Sequence, residues 1–225
     1  MSLLSASWLV LRKDLRIELR TGEVVITTAL FASLVAVITS LSFYVDDNSA
    51  RQVAPGVLWV ALAFAGVLAM SRSWSREREN DAFRALLSAP IPRAAIYLGK
   101  TFGTLAFLAV VECALLLEVA VLFNLDLSRH LGPIAGLLAL GTIGFAATGN
   151  LFAAMGVRTR ARDLVLAVAL FPVIAPALLC GVVATRELLN GAPMSEVWQW
   201  MRILAAFDLA FVTAGLVLFE PLVCD

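Results

Sequence analysis

Six runs of about twenty predominantly apolar residues divide this chain, at 24–44, 53–70, 96–123, 131–155, 164–184 and 201–223. Each is long enough to cross a bilayer as an α-helix, and a helix satisfies its backbone donors and acceptors internally, which lipid cannot do for it. The strands of a membrane barrel are only about ten residues long, so a closed barrel is excluded. The expected fold class is therefore all-α: a polytopic membrane protein with six transmembrane helices and both termini on one side. Composition agrees, since 61% of the 225 residues are hydrophobic and 15% charged, against about 25% charged in a soluble domain.

Lys plus Arg and Asp plus Glu number 17 each, and no segment combines arginines and aromatics densely enough for a nucleic-acid partner. The placement of the cations says more than their sum. With the N terminus inside, Arg12, Lys13, Arg16, Arg20, Arg72, Arg76, Arg78, Arg84, Arg93, Lys100, Arg158, Arg160 and Arg162 fall on the inner side, and only Arg51, Arg129, Arg186 and Arg202 on the outer. Cytoplasmic loops retain basic residues, so the expectation is a bacterial inner-membrane protein with cytoplasmic termini. No cleavable signal peptide is expected, because the first apolar run begins near Val24 and no A-x-A-like site follows it.

Before the first span, Leu4, Trp8, Leu11, Leu15 and Leu19 fall in one stripe of roughly 80° at the ~100° per residue of an α-helix, with Arg12, Lys13, Arg16 and Arg20 beside it. Residues 1–22 therefore read as an amphipathic helix lying on the inner leaflet. Two GxxxG pairs, Gly99 with Gly103 and Gly132 with Gly136, predict close helix packing and a seam for a second copy. Pro172 and Pro176 predict a kink in the fifth span. Nothing repeats internally, so residues 1–225 read as one transmembrane domain.

No catalytic or metal site can be assembled. Gly99-Lys100-Thr101 ends like a phosphate-binding loop, but Ala94 stands where the motif needs glycine and no strand precedes it; Lys100 is expected to snorkel to the inner interface. His130 is the one histidine and reads as a surface residue. Cys113, Cys180 and Cys224 stand singly and read as apolar filler. Within the spans, Glu112, Glu118 and Asp208, with Glu220 near the inner end of the sixth, are costly in lipid and should face the interior, as hydrogen-bonding struts or as part of a polar pathway. The longest inner loop, 71–92, reads SRSWSREREND then AFRALLSAPIP. Trp74, Phe83, Leu86 and Leu87 can share an apolar side beside Arg76, Glu77, Arg78 and Glu79, which makes 76–87 either a charged surface helix or a docking helix for a cytosolic partner.

The order of short motifs resembles the CcmB family, the permease subunit of the haem-export complex of cytochrome c maturation. The motifs run through Leu58-Trp59-Val60-Ala61, Arg72-Ser73-Trp74, Arg76-Glu77-Arg78-Glu79, Ala89-Pro90, Ile96-Tyr97-Leu98-Gly99-Lys100, Gly141-Thr142-Ile143-Gly144-Phe145, Thr159-Arg160-Ala161-Arg162, Phe171-Pro172, Ala206-Phe207-Asp208 and Phe219-Glu220. Phe83-Arg84-Ala85 and Glu118 depart from the pattern. The resemblance implies an ABC-2-type exporter membrane domain that is no enzyme itself. ATP would be bound and hydrolysed by a separate cytosolic ABC ATPase docked on Arg76, Glu77, Arg78, Glu79, Phe83, Leu86 and Leu87. Haem would be handled by the complex through a neighbouring membrane subunit, with no cofactor held by this chain alone. An ATP-independent secondary transporter and a scaffold for a haem-handling partner are the alternative readings.

Overall fold

The structure is a computed structural model that describes residues 2–43, 47–78, 82–127, 130–156 and 162–224. These residues form eight helices: α1 (Leu3–Thr21), α2 (Glu23–Ser42), α3 (Asp47–Arg78), α4 (Ala82–Ser88), α5 (Arg93–Leu122), α6 (Leu131–Gly156), α7 (Arg162–Leu189) and α8 (Met194–Cys224). Six of them, all but α1 and α4, are long and apolar enough to cross a membrane. The six spans read from the apolar runs are thus all present.

Their ends differ from the runs in an informative way. The third helix continues to Arg78, so 71–78, expected to open a loop, is instead the protruding end of a span, and only Ala82–Ser88 is a separate short helix. The last helix begins at Met194, seven residues before its apolar run. Hydropathy marks where a helix meets lipid, whereas helices extend further wherever other protein covers them: Trp74 on the α3 extension and Val197 on the α8 extension are both fully enclosed.

The turn from α1 into α2 is made by Gly22, which has φ +62° and whose N–H closes on the Glu18 carbonyl at 2.7 Å. That left-handed conformation is open to glycine at little cost. A β-carbon there would also lie 2.7 Å from Ile26 Cδ1. The sequence thereby turns sharply from the amphipathic helix into the first span.

Helices α3 and α6 are the most enclosed, and α2 and α8 lie at the periphery. The core falls into two clusters stacked along the bundle. One gathers around Trp59, the other around Trp74, Tyr97 and Phe219. Lipid offers helices no hydrophobic reason to associate, so close packing and internal hydrogen bonds hold such a bundle together. Trp59 shows both: its Nε1 donates to Thr185 Oγ1 at 3.0 Å, and its ring lies against Gly141 of α6 and Gly181 of α7. The Tyr97 hydroxyl donates to the Ala147 carbonyl at 3.1 Å, with its ring against Gly215 of α8. The first GxxxG pair is used inside the chain, since an added β-carbon at Gly99 would lie 2.5 Å from Val10 Cβ of α1. Helix α7 continues through both Pro172 and Pro176.

This packing is tested at Gly181, where a β-carbon would stand 2.5 Å from the Trp59 indole. Gly181→Val is expected to lower stability by about 1–3 kcal/mol through overpacking, read as a drop in melting temperature in detergent. Gly56→Ala, at a position with open space around the new β-carbon, should leave the melting temperature within error.

Candidate functional site

Helix α1 has three faces rather than two. Ala6, Ser7, Val10, Asp14 and Glu18 are buried against the bundle. Leu4, Trp8 and Leu19 of the apolar stripe are exposed, as are Arg12, Arg16 and Arg20. At about 100° per residue these sets occupy successive arcs, one for protein, one for lipid and one for water. Of the amphipathic stripe read from the sequence, Leu4, Trp8 and Leu19 form the outward arc, while Leu11 and Leu15 are half-buried at its border with the bundle. The arc that holds the helix in place is a different one, and two acids lie on it.

Those acids meet the bundle's cations. Lys100 Nζ lies 2.9 Å from Asp14 Oδ2 and 2.5 Å from Glu77 Oε1, and Lys13 Nζ lies 3.1 Å from Asp14 Oδ1 and pairs with Glu77 as well. Lys100 also reaches the Ser73 carbonyl and hydroxyl, both at 3.5 Å, and sits 5.6 Å from the centre of the Trp74 ring. Two cations and two anions from α1, α3 and α5 thus form a neutral cluster in which Lys100 is 1% exposed. An unpaired ion in such a place would cost several kcal/mol, which the pairing offsets. The expectation that Lys100 snorkels to the interface is corrected: with two carboxylates in contact, the ammonium turns into the protein. Burial works against the charged form of Lys13, but Asp14 and Glu77 outweigh it and hold its pKa above the ordinary lysine value. The stabilisation from Lys13 is therefore complete at neutral pH and below, and is lost only as pH rises through that raised value.

A second set of pairs flanks the cluster. Arg76 donates to Glu18 at 3.1 Å, Thr21 at 3.2 Å and Glu23 at 3.3 Å, and Glu18 accepts the Val25 N–H at 2.8 Å. Beneath it Trp74 Nε1 donates to Asn150 Oδ1 at 2.8 Å, and Asn150 donates to Thr104 at 3.0 Å and to the Ala146 carbonyl at 2.9 Å.

Several residues expected on a docking surface are thereby engaged within the chain. Glu77 is buried in the cluster and Arg76 is spent on α1. Phe83 is buried, edge-on to Trp74 with ring centroids 5.8 Å apart; Leu86 and Leu87 pack half-buried on the same cluster. Arg78, Arg84, Ala85 and Ser88 are exposed. Glu79 lies outside the described residues.

The carboxylates of the spans divide. Glu112 is buried and accepts from the Thr142 hydroxyl, and Asp208 is 7% exposed beside Gly144 and Phe207, with neither oxygen hydrogen-bonded among the described residues. Glu118 is half-buried and accepts from Ser33 Oγ at 2.6 Å. Glu220, expected to face the interior, is instead exposed on the last turns of α8. The residues that sequence reasoning missed are Asp14, Glu18, Ser73 and Asn150. The first two could have been found as acids spaced four apart on one side of a basic helix.

Six spans carrying an amphipathic helix locked by buried charge to one end define a polytopic α-helical membrane protein. The chain belongs to the CcmB protein family, whose family model matches residues 5–220. It is 27% identical to heme exporter protein B of Bradyrhizobium diazoefficiens over 92% of this chain and 91% of that protein. It is 30% identical to heme exporter protein B of Paracoccus denitrificans over 89% and 90%, and 25% identical to that of Pseudomonas aeruginosa over 92% and 95%.

Lys100→Met leaves Asp14 and Glu77 buried with one cation between them. It should destabilise by about 3–5 kcal/mol and speed protease cleavage of α1. Arg72→Ala removes only the pair with Glu23, whose side chains are 48% and 49% exposed, and should cost about 0–1 kcal/mol. Both are read by thermal unfolding in detergent and limited proteolysis.

Proposed function

We propose that this chain is the membrane permease subunit of an ABC-type complex that exports or delivers haem for periplasmic cytochrome c maturation, with ATP hydrolysed by a separate cytosolic subunit. The observation that carries this reading is its end-to-end relation to proteins named heme exporter protein B. A haem-handling membrane subunit and a second copy of the chain are the further partners in this reading. Both termini lie in the cytoplasm, in keeping with the 13 to 4 division of basic residues.

The ATPase meets the bundle at the charged end. Helix α3 carries its extension there, α4 packs on that extension through Phe83 against Trp74, and Glu77, Lys100 and Asp14 join α3 and α5 to α1. Motion applied to α4 then reaches three elements without slack. The contact surface consists of residues left exposed, chiefly Arg78 and Arg84, while Phe83, Leu86 and Leu87 hold α4 to the bundle from behind. Charge of one sign at a rim sets register and association rate, so reversing it weakens the partner without disturbing the fold.

Arg78→Glu combined with Arg84→Glu should reduce co-purification of the cytosolic ATPase at least several-fold, with normal yield and melting temperature of the membrane subunit. Retention of the ATPase at the parental level by this variant would place docking elsewhere, and a chain that never co-purifies with an ATPase would sink the proposal itself. Orientation is tested by a membrane-impermeant maleimide in a background lacking Cys113, Cys180 and Cys224. Intact cells should label Ser49→Cys and leave Ser88→Cys unlabelled; the opposite pattern inverts the topology.

A further inference from the structure

At the end of the bundle opposite the charge cluster, a polar cavity of about 270 Å³ opens between the first turns of α3, the end of α5, the start of α6 and the end of α7. Arg51, Asn124, Asp126, His130 and Asn190 line it. We propose that this cavity is a binding site for an oxyanion, a phosphate or carboxylate group carried on a water-borne molecule.

The unpartnered nitrogen groups of the wall favour an anion. The one acid among the lining residues, Asp126, is itself engaged. Two nitrogen groups of the wall are not: Arg51 has no ion-pair partner among the described residues, and His130 Nδ1 is shut off from solvent with no hydrogen-bond partner among them. Buried polar nitrogens nearly always have partners, and a guanidinium fork matches the oxygens of carboxylate or phosphate. Two left-handed residues, Asn124 at φ +49° and Gly191 at φ +83°, shape the rim.

The position of the cavity selects a water-borne source. The four helices around it pack on one another, α3 on α5 and α7, α6 on α5 and α7. Among the described residues, neither of the peripheral helices α2 and α8 lines the cavity. Directly beneath, Leu125 and Leu189 belong both to the cavity and to an apolar seam with Leu58, Leu116 and Ile134. The site thus has a dry floor and a wet mouth. A dry floor strengthens the pairing of Arg51 with an anion.

His130 is the single histidine of the chain, which makes it a direct reporter. The full chain, labelled with ¹⁵N-histidine and held in phosphatidylcholine nanodiscs at fixed pH, is titrated with inorganic phosphate against sodium chloride at matched ionic strength. The imidazole resonances should shift saturably with phosphate at about millimolar half-saturation and not with chloride. Arg51→Gln should weaken the response about tenfold or more. Arg202→Gln, an exposed arginine of α8 outside the cavity, should preserve it. A response to chloride equal to that of phosphate, or a full response in Arg51→Gln, overturns the site. The same shift on replacing phosphatidylcholine by phosphatidylglycerol without phosphate would assign the anion to a lipid headgroup and overturn the water-borne source.

Discussion

Lys100 stands about two turns into its helix, in a place where an ammonium is tolerated only between counter-charges, and the counter-charges come from two other helices. Asp14 belongs to α1 and Glu77 to α3. Removing water from a charge costs far more than a single weak contact returns, so Lys100 can be accommodated on α5 only if α1 and α3 are both in place. The amphipathic helix is consequently a structural member of the bundle. Leu4, Trp8 and Leu19 remain free to meet lipid, because the side that fixes the helix is the one carrying Ser7, Val10, Asp14 and Glu18. Gly99 completes the joint, bringing the α1 backbone close enough to α5 for the charges to meet.

The rest of the bundle is held by shape. Trp59 and Tyr97 each combine a large ring seated against glycines with one polar group that finds an acceptor on a neighbouring helix. In water such rings would be buried by hydrophobic drive alone. In lipid the gain comes from contact density and from hydrogen bonds that have no solvent to compete with them. Asn150 plays the same part among hydrogen bonds, linking Trp74 of α3 to Thr104 of α5 from a position on α6.

The six spans were legible because length and hydropathy are direct consequences of bilayer thickness, and Glu112 and Asp208 were legible because a carboxylate within an apolar run is conspicuous. The third face of α1 was not. Asp14 and Glu18 stand among Arg12, Lys13, Arg16 and Arg20 in the sequence and look like ordinary solvated alternation; only the packing of α5 shows that they are turned inward. Lys100 was misread for a related reason, since its partners lie 86 and 23 residues away in the chain and no local pattern announces them. Phe83 shows the limit of periodicity. An apolar stripe on a short helix says that something covers it, and here the cover is Trp74 of the same chain rather than another molecule.

Helix α3 has Arg51 near one end and Glu77 near the other, 26 positions apart along the helix, a span of about 39 Å. A rod of that length, enclosed over most of its course, behaves as a lever whose two loads are the polar mouth and the charge cluster. Pro55 sits one turn into the rod from Arg51 and leaves the Arg51 carbonyl without its usual donor four residues on. The lever is therefore stiff along the part that carries Trp59, Trp74 and Glu77 and compliant in its first turn. A displacement at the charged end travels as tilt through the whole bundle, whereas a displacement at the mouth is absorbed within the turn that bears Arg51.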